Sequence, residues 1–158
     1  MLRISLLGIS AAIAAGLLFV NVYNSVIDAT NWGAAFPDSI SAARQYFSVA
    51  NPGNFYRIVS PLNQVFAILA VIACWKFKLE RYIAVTSLGL AVLADALTFG
   101  YFYPRNDIMF AGPIENIDNI RLAWNQWTTM NWFRSAMCAV NAALTLSILV
   151  MISKKSAQ

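Results

Sequence analysis

The chain has 158 residues, of which 59% are hydrophobic and only 11% charged, and its mean hydropathy is +0.61. Soluble domains carry roughly 25% charged residues, and a chain this short has too much surface for its volume to hide such an apolar excess from water, so lipid must cover it. The net charge of +4 is scattered along the chain, which excludes a nucleic-acid surface, and the absence of histidine removes the usual general base and the commonest metal ligand.

A helix needs about 20 apolar residues to cross a bilayer. The first qualifying stretch covers about residues 4–27. Its opening, Met1-Leu2-Arg3 followed by an apolar run and Ala11-Ala12-Ile13-Ala14-Ala15, resembles a signal peptide. Apolar character continues through Leu17, Leu18, Phe19 and Val20, so the segment is expected to stay in place as a span. Asn21, Asn24 and Asp28 follow on one face of the same helix.

In the connection after it, Pro37-Asp38-Ser39 predicts a short helix reaching about Val49, with Asp38 or Ser39 as N-cap. Asn51-Pro52-Gly53-Asn54 reads as a turn. The second span covers about residues 58–75 and carries Asn63 and Gln64. The third covers about residues 82–103 and carries Asp95, roughly 12 Å below its upper end at 1.5 Å per residue. Pro104 is expected to end it, and Gly112-Pro113 marks a further turn. From Asn116 to the end no residue breaks a helix, so the fourth helix should run well beyond its membrane part, about residues 130–152. The predicted fold is an all-α membrane bundle of four spans in one domain.

The tight connection between spans two and three holds Lys76, Lys78 and Arg81; Arg3 precedes the first span, and Lys154 and Lys155 follow the last. Basic flanks favour the cytoplasmic side. Both termini are therefore expected to be cytoplasmic in an inner or plasma membrane. The longer connections, with most of the acids, would face outward. The polar residues within the spans gather at that outward end, and the inward half reads as almost purely apolar. Cys74 and Cys138 fall at different depths, too far apart for a disulfide, and are expected to be buried thiols.

Ionisable groups inside a bilayer are costly and mark function or a buried pair. Asp95 and Arg134 are the clearest, and each is the other's expected partner. On the fourth helix, Ile117, Ile120, Trp124, Trp127, Asn131, Arg134, Cys138, Asn141 and Thr145 recur at spacings of three and four, forming one stripe. The stripe is apolar above the membrane and polar within it, so it must face protein or a cavity. An interfacial aromatic belt is the alternative reading for Trp124 and Trp127, and the favoured one for Trp132, which leaves the stripe. Asp95, Arg134 and Asn131 are the candidate catalytic residues. Asn106, Trp124, Trp127, Asn141, Asn63 and Asn24 are the candidate binding residues. No metal-ligand cluster, phosphate-binding glycine loop or nucleophile elbow occurs, so neither metal nor cofactor is expected.

The segment ending Pro104-Arg105-Asn106, and the run Trp124-x-x-Trp127-x-x-x-Asn131-x-x-Arg134, resemble motifs of the anthrone oxygenase-like family of four-span membrane proteins. The overall layout resembles that family too. The resemblance implies oxidation of anthrones to anthraquinones by molecular oxygen without metal or flavin, although most bacterial relatives have no assigned reaction. It implies that Asn106, Trp124, Trp127, Asn131 and Arg134 line the pocket. Many relatives place a histidine directly after the motif asparagine, where this chain has Trp132. A base for such chemistry would have to be Asp95, Asp107 or a neighbouring acid.

Three functions follow. The first is an outward pocket for a small aromatic or quinone-like molecule, binding it and, if enzymatic, oxidising it. The second is an accessory subunit docking on another membrane protein, or on a second copy, through the polar stripe and the upper fourth helix. A transporter is the third, and four spans without repeats or broken helices suit it poorly.

Overall fold

A computed structural model describes residues 2–156, which are mostly helical, with no strand among them. Four are long and apolar enough to cross a membrane: α1 (Leu2–Gly33), α3 (Pro52–Cys74), α4 (Lys78–Ala111) and α5, whose apolar part is Ile117–Lys154 within a helix of Ile117–Ser156. The short α2 (Asp38–Tyr46) lies between the first two. The protein is a four-helix membrane bundle. α1 packs on α3 and α5, and α4 packs on the same two, closing a ring.

The inner faces of the ring carry small residues: Ser10, Ala11 and Ala14 of α1, Ala67 and Ala70 of α3, Ala84, Ser87 and Ala91 of α4, and Ala142 and Thr145 of α5. Large apolar groups such as Phe19, Ile72, Val92 and Phe133 point outward. Lipid offers no hydrophobic drive between helices, so close approach through small side chains holds such bundles together. At the end bearing both termini, here the lower end, Leu7, Cys74, Ala84, Ile148 and Ile152 form a small apolar cluster. The Arg3 guanidinium stacks 4.0 Å from the Phe77 ring and reaches the Cys74 sulfur. The lower half is less purely apolar than expected, because Glu80 is only 2% exposed there and Ser10 and Ser87 are buried as well.

Three spans extend further at the upper end than the hydropathy pattern predicts. α1 passes through a π-turn at Asn24–Asp28 and continues to Gly33. α4 passes Pro104, which was expected to end it, through π-turns at Thr98–Phe102 and Asp107–Ala111. A proline inside a helix removes one hydrogen bond and its ring crowds the preceding turn. The wider turn just before it gives the ring room, and the helix survives. The expected turn at residues 51–54 is instead the start of α3. Asn51 caps the helix, its side chain accepting from Gly53 N while its own N–H donates to the Asn54 side-chain oxygen, and Pro52 occupies the first turn, where its missing N–H costs nothing. α2 has no side-chain cap; Ser39 instead donates to the Trp32 carbonyl.

These extensions build a second core above the ring, from Trp32, Ile40, Phe102, Met109, Ile120, Ala123 and Trp127. Arg44 pins α2 to α4 by donating Nε and Nη2 to the Met109 carbonyl, at 2.9 and 2.7 Å. Trp124 lies against the end of α1 and donates Nε1 to the Ala29 carbonyl at 2.8 Å. Gly33 permits that approach, since a Cβ there would sit 2.2 Å from the Trp124 ring. Gly33→Ala should therefore destabilise the protein by about 1–3 kcal/mol, as overpacking does. Gly89→Ala, where a Cβ meets nothing within 4 Å, should be nearly neutral. Thermal unfolding in detergent compares them, and equal midpoints would refute this packing.

Candidate functional site

Asn131 is fully buried on α5 and uses both ends of its amide. Its nitrogen donates to the Ser25 hydroxyl at 2.6 Å and to the Asn21 carbonyl at 3.0 Å, both on α1. Its oxygen accepts from Nε and Nη2 of Arg134, one turn along the same helix. The π-turn in α1 is what lets the adjacent Asn24 and Ser25 both turn inward. Arg134 is 5% exposed. Its Nη1 donates to the Thr98 hydroxyl of α4 at 3.2 Å, and its guanidinium carbon lies 4.0 Å from the Phe102 ring centre and 5.2 Å from that of Tyr56. The charge is thus held by neutral oxygens and aromatic faces.

The expected ion pair with Asp95 does not form. Asp95 takes a short hydrogen bond from Gln64 of α3 instead, while Arg134 is engaged by Asn131 and Thr98.

Two cavities meet at Arg134. The lower, about 30 Å³, is lined by Asn63, Asp95, Cys138 and Asn141 among others, and has room for one or two waters. The upper is about 420 Å³, within the range of small-molecule pockets. Its walls include Trp32, Phe47, Phe110 and Trp127, with Arg44 and Arg57 toward α2 and the start of α3, and Asn24, Asn106 and Asp107. Tyr56, Thr98 and Arg134 line both cavities and so form the partition between them. Trp127 stands edge-on to Trp32 and Phe102, at centroid distances of 5.1 and 5.6 Å, and its buried Nε1 has no hydrogen-bond partner. The Asn24 amide lies 3.4 Å from the Tyr56 hydroxyl; turned over, its nitrogen would meet the Val20 carbonyl and the Asp28 carboxylate, each at 3.1 Å.

The sequence-predicted residues therefore divide. Asn24, Asn106, Trp127 and Arg134 line the upper cavity; Asn63, Asp95, Asn141 and again Arg134 line the lower. Asn131 stands behind Arg134 and positions it. Trp124 lines neither cavity; it packs on Phe36 and braces α1. Trp132, 49% exposed, leaves the stripe as expected. Cys74 and Cys138 are buried and unpaired, also as expected. The upper fourth helix offers less docking surface than the accessory-subunit reading needs: Ile120 is 2% exposed and Trp124 packs with it in the chain's own upper core, while Ile117 is part-buried.

Tyr56, Thr98, Phe102, Trp32, Arg44 and Arg57 were not singled out from the sequence. Tyr56 had a signal: with α3 starting at Pro52, Tyr56, Ser60, Asn63, Ala67, Ala70 and Cys74 form a stripe at spacings of three and four. Starting that span at residue 58 hid it. Among the described residues, no three His, Cys, Asp or Glu side chains are grouped to hold a metal.

Comparisons with protein-family models, curated proteins and solved structures return no match.

Asn131→Leu should cost about 3 kcal/mol or more, because it strips a buried guanidinium of two bonds and Ser25 of its donor. Trp132→Leu, on the exposed side, should cost less than about 0.5 kcal/mol. Unfolding in mixed detergent micelles measures both. Equal stability of the two variants would remove Asn131 from its central place.

Proposed function

We propose that this membrane protein binds a small aromatic or quinone-like molecule in the upper cavity, its ring among Trp127, Trp32 and Phe110 and its oxygen on Arg134. The observation that carries the reading is a ligand-sized cavity with aromatic walls and a buried arginine at its floor. Arg134 uses three of the five N–H groups of a guanidinium, so two remain for an oxygen acceptor.

The resemblance to anthrone oxygenase-like proteins extends the proposal from binding to chemistry. In that reaction one dioxygen converts one anthrone to the anthraquinone and one water. Of the two acids considered from the sequence, Asp107 lines the upper cavity, whereas Asp95 lies beyond the Arg134 partition. Asp107 is therefore the favoured base. The accessory-subunit reading has less to rest on, since the stripe it needs is buried within the chain.

We further propose that both termini face the cytoplasm, with the cavity on the opposite side. Arg3, Lys76, Lys78, Arg81 and Lys154 at the lower end support this.

Titration with 2-methyl-1,4-naphthoquinone should quench the tryptophan fluorescence of the protein in nanodiscs saturably. Asn106→Trp, which fills the cavity, and Arg134→Gln should each weaken that binding roughly tenfold or more. Quenching unchanged in both variants would exclude the cavity as the site. An oxygen electrode tests the enzymatic reading: anthrone-dependent uptake lost in Asp107→Asn supports oxidation, and no uptake above protein-free discs leaves binding alone. A C-terminal green fluorescent protein fusion should fluoresce and a C-terminal alkaline phosphatase fusion should be inactive. The reverse pattern would invert the topology.

A further inference from the structure

Arg134 has hydrogen-bond acceptors but no carboxylate in direct contact with it. Its three bonds go to the amide oxygen of Asn131 and the hydroxyl of Thr98, both neutral. Asp95 shares the lower cavity with Arg134 but is held by Gln64, beyond ion-pair distance and away from the upper cavity. Asp28 stands beside Asn24 on α1 and lines neither cavity. The upper cavity itself presents three guanidinium groups, Arg44, Arg57 and Arg134, against the single carboxylate of Asp107. Arg44 spends Nε and Nη2 on the Met109 carbonyl and keeps its charge uncompensated.

A neutral aromatic molecule entering this cavity would displace solvent from the face of Arg134 and offer no charge in return. Removing the last solvent from an unpaired buried charge is costly. An anion removes that cost, and a carboxylate is the strongest common acceptor for the N–H groups that Arg134 has left on Nη1 and Nη2.

We infer that the natural ligand is an aromatic carboxylate, its acid group seated on Arg134 within the field of Arg44 and Arg57 and its ring between the tryptophan walls. This rests on the reading of the upper cavity as an aromatic-ligand site and adds the charge and the acid group.

The test is calorimetric titration of 2-naphthoate and its neutral isostere 2-naphthamide into the protein in zwitterionic nanodiscs, with empty discs subtracted. Naphthoate should bind roughly tenfold tighter than the amide or better, and the difference should shrink at high salt. Arg57 is exposed and outside the packed core, so Arg57→Gln should fold normally. It should weaken naphthoate severalfold and leave the amide unchanged. Equal affinity for acid and amide overturns the inference; if 2-methyl-1,4-naphthoquinone still binds the same cavity, the broader aromatic reading survives. Binding of none of the three overturns both. Displacement of naphthoate by phosphatidylglycerol placed in the discs would assign the arginines to a lipid phosphate and overturn the aromatic acid.

Discussion

A guanidinium keeps its charge in essentially any protein environment, and in this chain one is buried within a helix built for lipid. Much of the upper half of the bundle follows from holding it. Asn131, three residues earlier, orients it, and Asn131 is itself fixed by Ser25 and the Asn21 carbonyl. That ties α5 to α1 at the point where α1 widens into a π-turn. Thr98, at the start of the first π-turn of α4, takes the third bond. The two irregular turns thus supply the hydroxyls that the charge network uses, in keeping with the way π-turns gather at functional sites.

The same residue divides the interior. Below it lies a water-sized, acidic space around Asp95, and above it a roomy space with aromatic walls and cationic groups. The division separates two kinds of chemistry by the thickness of one guanidinium, flanked by Tyr56 and Thr98. It also fixes what each acid can reach. In the proposed site, Asp107 shares a wall with the ligand, while Asp95 reaches it only through the partition.

Most of the architecture was legible in the residues. Runs of apolar residues separated by charged connections place four spans, and an uninterrupted run after Asn116 yields the single long helix observed from Ile117. The stripe on that helix was readable because spacings of three and four survive whatever surrounds them. Its neighbours were harder. Hydropathy stops where polar residues begin, but α1 and α4 continue as helix through Trp32 and Phe110, where packing against α5 and α2 replaces lipid. Pro104 reads as a helix end because a π-turn ahead of a proline leaves no mark in a single sequence. Charge and depth alone pair Asp95 with Arg134. Depth does not reveal that Gln64 and Asn131 stand nearer, because that depends on how the helices are rotated about their axes. Arg44, in the short predicted helix, and Arg57, just ahead of the predicted second span, carry no site signal in the sequence, because it does not show that α2 and the first turns of α3 border the cavity.

The central claim is that Arg134 presents its remaining donors to a ligand in the upper cavity. A crystal structure grown from lipid with 2-naphthoate tests it most directly. The account predicts planar density between Trp127 and Phe110, with both carboxylate oxygens about 3 Å from the Arg134 guanidinium. An upper cavity closed around Arg134, with the guanidinium turned down to pair with Asp95, would contradict it.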